Sequence, residues 1–147
     1  MAAENNDQPQ SISLQVVTPG GMVEDAKVNL VTIPGVEGVF GVMPGHSPFF
    51  TLIAPGVISY DEGGMPRELA VSGGFVEVTQ GKTLVLARTA EKKDDIDLDR
   101  AHRAKRESEE RLVTMSFEDE GRKAVEEELG RAVARIAVAS GESIQGH

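Results

Sequence analysis

Sixteen consecutive residues, Gly41-Val-Met-Pro-Gly-His-Ser-Pro-Phe-Phe-Thr-Leu-Ile-Ala-Pro-Gly56, hold three Pro and three Gly while remaining apolar, and no other feature limits the fold of this chain as much. Pro fixes φ and removes a backbone donor, whereas Gly admits φ > 0. Pro44-Gly45 and Pro55-Gly56 therefore predict two tight turns bracketing one short strand over residues 49–53. Such a segment cannot continue a helix. It reads as a bent, buried corner of a small β-structure.

The chain before and after this corner repeats the same grammar. Residues 1–10 are polar and without periodicity, which predicts a disordered leader. From Ser11, the residues Ile12, Leu14 and Val16 alternate with Ser13 and Gln15, the period of a half-buried strand. Further apolar runs fall at 28–33, 39–43, 49–53, 57–60, 68–71, 75–79 and 83–87. Turn chemistry lies between them at Pro19-Gly20-Gly21, Pro34-Gly35, Pro44-Gly45, Pro55-Gly56, Asp61-Glu62-Gly63-Gly64, Gly73-Gly74 and Gln80-Gly81-Lys82. Eight short strands at spacings near ten residues predict an all-β sandwich or flattened barrel over 11–88.

Past Thr89 the composition changes. Residues 1–90 carry 4 basic and 9 acidic side chains, residues 91–147 carry 11 and 15, and no Pro occurs in the second segment. After a linker at 89–95, Asp97 or Asp99 can cap a helix whose stripe is Ala101, Ala104, Ser108, Leu112 and Met115. Arg103 with Glu107, Arg106 with Glu110 and Glu107 with Arg111 stand at i,i+4 on its outer side. Residues 117–121 read as a turn. A second helix then presents Val125, Leu129, Ala132, Ile136 and Ala137 and stops at Gly141. The short connection predicts an antiparallel two-helix hairpin over 96–140, followed by a disordered tail at 141–147. The fold class is thus α+β. A stripe this rich in Ala buries little, which suits an arm that detaches from its seat.

Composition excludes several function classes. With 24 acidic against 15 basic residues the net charge is −9, so nucleic acid and anionic lipid are repelled overall. The absence of Cys excludes a disulfide framework or a thiolate metal site. No run approaches the roughly 18 apolar residues of a membrane span, and the first ten residues carry no signal-peptide core, so the sequence predicts a soluble cytoplasmic chain that meets a membrane only through partners. Five Phe, one Tyr and no Trp leave core volume to Val, Ile, Leu and Met, which favours a small β-fold over a large enzyme cleft.

Candidates for chemistry are few. His46 and Ser47 are adjacent on a tight turn, where neighbours seldom face one another, and no acidic residue stands nearby in sequence to orient the imidazole. His102 and His147 lack metal-ligand partners at usable spacing. The pairs Gly63-Gly64 and Gly73-Gly74 precede no helix and no Lys-Ser/Thr, so they read as turns rather than a phosphate cradle. A stronger constellation joins Glu91, Ile96-Asp97-Leu98-Asp99-Arg100-Ala101, and the pair Arg131 and Arg135. The two arginines lie one turn apart on one helix face, Arg100 on the facing helix adds a third guanidinium, and Glu91 and Asp97 can accept from an adenine amine. The plain alternative is a set of solvated helix charges.

These motifs carry a resemblance. Gly-Val-Met-Pro-Gly-His-Ser-Pro, followed by an apolar strand and Pro-Gly-Val, resembles the signature of the epsilon subunit of bacterial F-type ATP synthase. The resemblance runs from residue 11 to about 140 with both segments in order. It implies a non-catalytic central-stalk subunit that fastens the gamma subunit to the rotor-ring c subunits and couples proton translocation to ATP synthesis. It would lie peripherally at the cytoplasmic face of the inner membrane. The resemblance also implies a rotor-ring contact through Val39, Phe40, His46 and Ser47, and an arm that folds on the sandwich or extends along gamma towards the alpha and beta subunits to hinder hydrolysis. By the same resemblance Glu91, Ile96, Asp97, Arg100, Ala101, Arg131 and Arg135 match a regulatory ATP-binding pattern, with no cofactor required. One departure stands at Glu107, where ATP-binding family members carry a further Arg, and Arg106 is turned about 100° away. The rival from another class is a free-standing β-sandwich binding module with a solubilising or dimerising helical tail.

Overall fold

A computed structural model describes residues 11–141, so the expected leader at 1–10 and all of the expected tail but Gly141 lie outside the described residues. The chain runs β1 (Ile12–Thr18), β2 (Gly21–Val28), β3 (Val31–Gly35), β4 (Gly38–Val42), β5 (Phe49–Leu52), β6 (Gly56–Glu62), β7 (Met65–Thr79) and β8 (Lys82–Glu91), then α1 (Leu98–Thr114) and α2 (Arg122–Ser140). The α+β architecture read from the sequence, a β-sandwich followed by a helical hairpin, is the observed one.

The strands form one continuous sheet in the order β2-β1-β8-β7-β6-β3-β4, with β5 paired separately to β7. The pairings are antiparallel except β1 with β8. Strand β7 is the centre of this order. Its first half, to Val71, pairs with β6 and its second half, residues 75–78, with β5, while β8 pairs with it from Ala70 to Thr79. The sequence reading placed a turn at Gly73-Gly74 and two strands around it, whereas the chain passes straight through. Both glycines hold positive φ, 60° and 108°, and a Cβ on Gly74 would stand 1.9 Å from the Leu86 carbonyl oxygen. Glycine here lets one long strand bend against its neighbour instead of ending it.

The period-2 positions fill the interior: Leu14 and Val16, Val31 and Ile33, Ile58, Leu69, Val76 and Val85 are fully buried. Strand β2 was not foreseen, because Glu24, Asp25 and Lys27 break its apolar pattern. It is an edge strand, and charge on an edge discourages pairing with other chains. The tightest departure concerns the Pro-Gly corner itself. It was expected to be buried, yet Met43, Phe49, Phe50 and Leu52 are all more than two-fifths exposed. The reason is topological: β5 is four residues long and pairs along its length only with β7, meeting the end of β3 on its other side only where Leu52 O accepts from Val36 N and Ile53 bridges Gly35.

Strand β8 continues to Glu91, three residues beyond the expected domain end at Arg88. The expected linker at 89–95 is therefore strand plus a 3-10 turn, Lys93–Asp95. Val71 and Ser72 of β7 face Ala90 and Thr89, and Ser72 and Thr89 share a 2.6 Å hydroxyl hydrogen bond, so pairing outlasts the apolar pattern. Asp97 caps α1, its carboxylate accepting from the Arg100 amide at 3.1 Å, and α1 buries Ala101 and Ser108 of the expected stripe. Gly141, at φ 78°, ends α2. Helix α2 buries two faces rather than one: Val125 and Ala132 belong to the expected stripe, while Ala134 and Val138 pack on Ala70, Val57 and Ile96. The second face was invisible as a stripe because its contacts are small residues. Arg111 reaches across to Glu128 at 3.2 Å instead of along its own helix to Glu107.

Candidate functional site: a charged cleft and an apolar rim

The hairpin and the end of β8 enclose a cleft of about 360 Å³ lined by Glu91, Asp95, Asp97, Arg100, Ala101, Ala104, Glu107, Ser108, Arg111, Glu128, Arg131 and Arg135. Each wall has a simple origin. Strand β8 ends with Glu91 at its tip, the cap at Asp97 sets the first turn of α1 beside it, and the spacing of Arg131 and Arg135 puts both on one side of α2. Ala101 is buried and Ala104 partly buried between the helices, and these small residues leave the space that longer side chains would fill.

Six of the seven residues singled out for nucleotide contact line this cleft: Glu91, Asp97, Arg100, Ala101, Arg131 and Arg135. Ile96 does not. Its side chain packs with Val57 on Ala70, Ala134 and Val138, beneath the arm. An aliphatic residue at the start of the arm gains more from that apolar seat than from a charged cleft. The sequence reading missed Asp95, Arg111 and Glu128. Nothing distinguished them from ordinary solvated helix charges, because the short loop after α1 alone brings Arg111 and Glu128 face to face.

The electrostatics of the cleft are mixed. Glu91 accepts from the Arg135 guanidinium at 2.5 Å, both side chains being 30% exposed. Asp97 is engaged in capping. Glu107 lines the cleft, and Arg106 does not. Guanidinium groups can pair with phosphate, while the Glu91 contact and the Glu107 carboxylate oppose an incoming anion.

The second feature is a rim at the β4–β5 end of the sandwich. Val39 is 70% exposed, Met43 60%, Phe50 58%, Leu52 55% and Val36 54%. Phe40 and Phe49 meet edge to face at 5.2 Å, and Phe50 leans on Phe75 at 5.3 Å, so the aromatics are held in place by one another. His46 lies beside Phe49, and its Nδ1 donates to the Ser47 backbone carbonyl at 2.6 Å. That bond engages the imidazole with the backbone, not with the Ser47 hydroxyl. Of the four residues expected at a rotor-ring contact, Val39 and Ser47 are exposed and Phe40 and His46 half-buried. Among the described residues no cluster of His, Asp and Glu could hold a metal ion.

Comparison with known proteins accounts for this arrangement. Residues 11–93 match the family model "ATP synthase, Delta/Epsilon chain, beta-sandwich domain", and residues 94–140 match "ATP synthase, Delta/Epsilon chain, long alpha-helix domain". The ATP synthase epsilon chain of Anaeromyxobacter dehalogenans (strain 2CP-C) is 42% identical over 129 residues, covering 88% of this chain and 98% of the relative. That of Nitratidesulfovibrio vulgaris (strain DP4) is likewise 42% identical over 129 residues, covering 88% and 96%. Among solved structures, a chain of the Euglena gracilis mitochondrial ATP synthase (OSCP/F1/c-ring) superposes with a TM-score of 0.74 at 22% identity, over 95% of this chain and 85% of that one, which shows the shared fold. Sandwich, hairpin and both family models coincide along nearly the whole described length, and the chain belongs to the family of ATP synthase epsilon chains.

Proposed function

We propose that this chain is the non-catalytic rotor subunit that fastens gamma to the ring of c subunits, and so couples proton translocation to ATP synthesis. Family membership supports the reading, and the apolar rim carries it. Six large apolar residues, Val36, Val39, Met43, Phe49, Phe50 and Leu52, stand exposed near one end of the sandwich, whereas elsewhere on it Met22, Leu30 and Met65 are the exposed large apolar residues among those described. Exposed apolar surface of this kind marks a protein interface, with gamma and the ring as its partners. Membrane association is then peripheral and through those partners; no helix among the described residues is long and apolar enough to cross a membrane.

The arm supplies regulation. Helix α2 seats on β6 and β7 through Ala134 and Val138, a small contact that can open. Extended towards the catalytic alpha and beta subunits, the arm hinders hydrolysis; held down by ATP in the cleft, it does not. A ligand that binds only the docked form stabilises it by RT ln(1 + [L]/Kd).

The test is co-purification of the full chain with gamma and the ring of c subunits together. Phe50→Asp and Leu52→Asp are expected to abolish the complex while circular dichroism stays that of the wild type; an intact complex in both variants refutes the rim as the interface. For the arm, hydrolysis by the reconstituted catalytic head is compared with the intact chain and with a chain ending after Lys92, which keeps β8 whole. Equal rates eliminate inhibition and leave the coupling role. Amide exchange over 91–140 that does not change with ATP eliminates the sensor.

A further inference from the structure

The cleft already contains counter-ions for two of its arginines. Four guanidinium groups (Arg100, Arg111, Arg131, Arg135) and five carboxylates (Glu91, Asp95, Asp97, Glu107, Glu128) line it, and two of the arginines are paired from within the chain. Arg111 takes Glu128, a link between the two helices of the arm. Arg135 takes Glu91, and this pair is different in kind, since Glu91 belongs to the last strand of the body and Arg135 to the arm. Both side chains are partly sheltered, and the contact is a short charge-assisted hydrogen bond.

We propose that Glu91 acts as a built-in substitute for an anionic ligand: its carboxylate occupies Arg135 and braces the arm on the body when no phosphate is present. A phosphate chain must displace it to engage Arg135. The inference rests on the nucleotide reading for its second half only, because the brace exists without any ligand. It follows that docking of this arm is salt-sensitive and partly ligand-independent. Glu107, another carboxylate on the same cleft and without an arginine partner among the described residues, works in the same direction by repelling the incoming phosphates.

Two measurements on the full chain test this separately. The first is amide exchange of α2 without ligand. Glu91→Gln and Arg135→Gln are each expected to speed it about fivefold, the double variant no further, and the charge swap Glu91→Arg with Arg135→Glu is expected to restore protection. Unchanged exchange in both single variants, or additive effects in the double, overturns the brace. The second is calorimetric titration with inorganic tripolyphosphate, which has no base for Glu91 to accept from. Glu91→Gln is expected to bind it about fivefold more tightly than the wild type. Equal or weaker binding overturns the displacement step. Arg131→Gln separates this from the nucleotide reading: if ATP protects the arm equally in the wild type and in Arg131→Gln, the nucleotide site fails while the brace stands on the first measurement.

Discussion

Gly130 lies in the middle of α2, where glycine costs a helix about 1 kcal/mol relative to alanine, and the structure shows what it is there for. A Cβ added at Gly130 would stand 3.2 Å from Pro55 Cβ and 3.6 Å from Pro55 Cγ, with Pro55 belonging to the rigid Pro-Gly turn of the body. The first distance is a few tenths of an ångström inside ordinary carbon contact, and neither a helix backbone nor a proline ring gives way cheaply. Gly130→Ala therefore has two separable effects. The propensity gain of about 1 kcal/mol applies to α2 whether the arm is docked or free, and it cancels from the docking equilibrium. The squeeze against Pro55 applies only to the docked arm, and mild overpacking costs about 1 kcal/mol. The remaining seat is Ala70, Ala134 and Val138 with Val57 and Ile96, where each methyl group contributes about 0.8 kcal/mol, so a cost of this size matters. The expected outcome is a ratio of undocked to docked arm about fivefold higher, in a chain that is more helical, not less. Because the chain has no Cys, spin labels on Cys substituted for the exposed Glu37 and Lys123 report body-to-arm distance directly. Pro55→Gly added to Gly130→Ala should return the distance distribution to that of the wild type. A distribution identical in wild type and Gly130→Ala would refute the claim that close approach to Pro55 limits how the arm sits.

Three predictions concern the body. Gly74→Ala places a methyl carbon against the Leu86 carbonyl and the Ala87 Cα at a φ of 108°, so β7 and β8 must part; a loss of more than about 4 kcal/mol is expected in urea unfolding, and a loss under 1 kcal/mol would contradict the geometry. Thr83 is fully buried with its hydroxyl unpartnered among the described residues, so Thr83→Val should raise stability by about 1 kcal/mol, read as a higher melting temperature. Burial and the hydrogen bond from its hydroxyl to the Glu24 carboxylate push the Tyr60 phenol above its ordinary value of 10.0. The unfolded chain then releases that proton first. Stability is fully present below pH about 10 and falls as pH rises beyond it, a fall that Tyr60→Phe should flatten in unfolding curves taken at pH 9 and 11.

Much of this protein was written in local pattern. The period-2 runs, the Pro-Gly turns, the charge break near residue 90, the Asp97 cap and the Gly141 stop depend on a few adjacent residues, and steric and capping rules act over that range. What neighbours in space decide was not legible. A pair of glycines marks a turn or a bend equally well until the carbonyl of Leu86 is seen beside Gly74. The apolar corner at residues 43–52 reads as core in the sequence, but β5 pairs along its length only with β7, and how many strands flank it is a property of the whole sheet. Nor can spacing reveal that Arg135 meets Glu91 across 44 positions, or that Gly130 meets Pro55. Sequence alone determined the order of strand-rich body and helical arm, most of their elements and the chemistry they carry; the tertiary structure added β2, joined two expected strands into β7 and decided which faces meet and which charges are already spent, because burial and pairing are set by the folded chain as a whole.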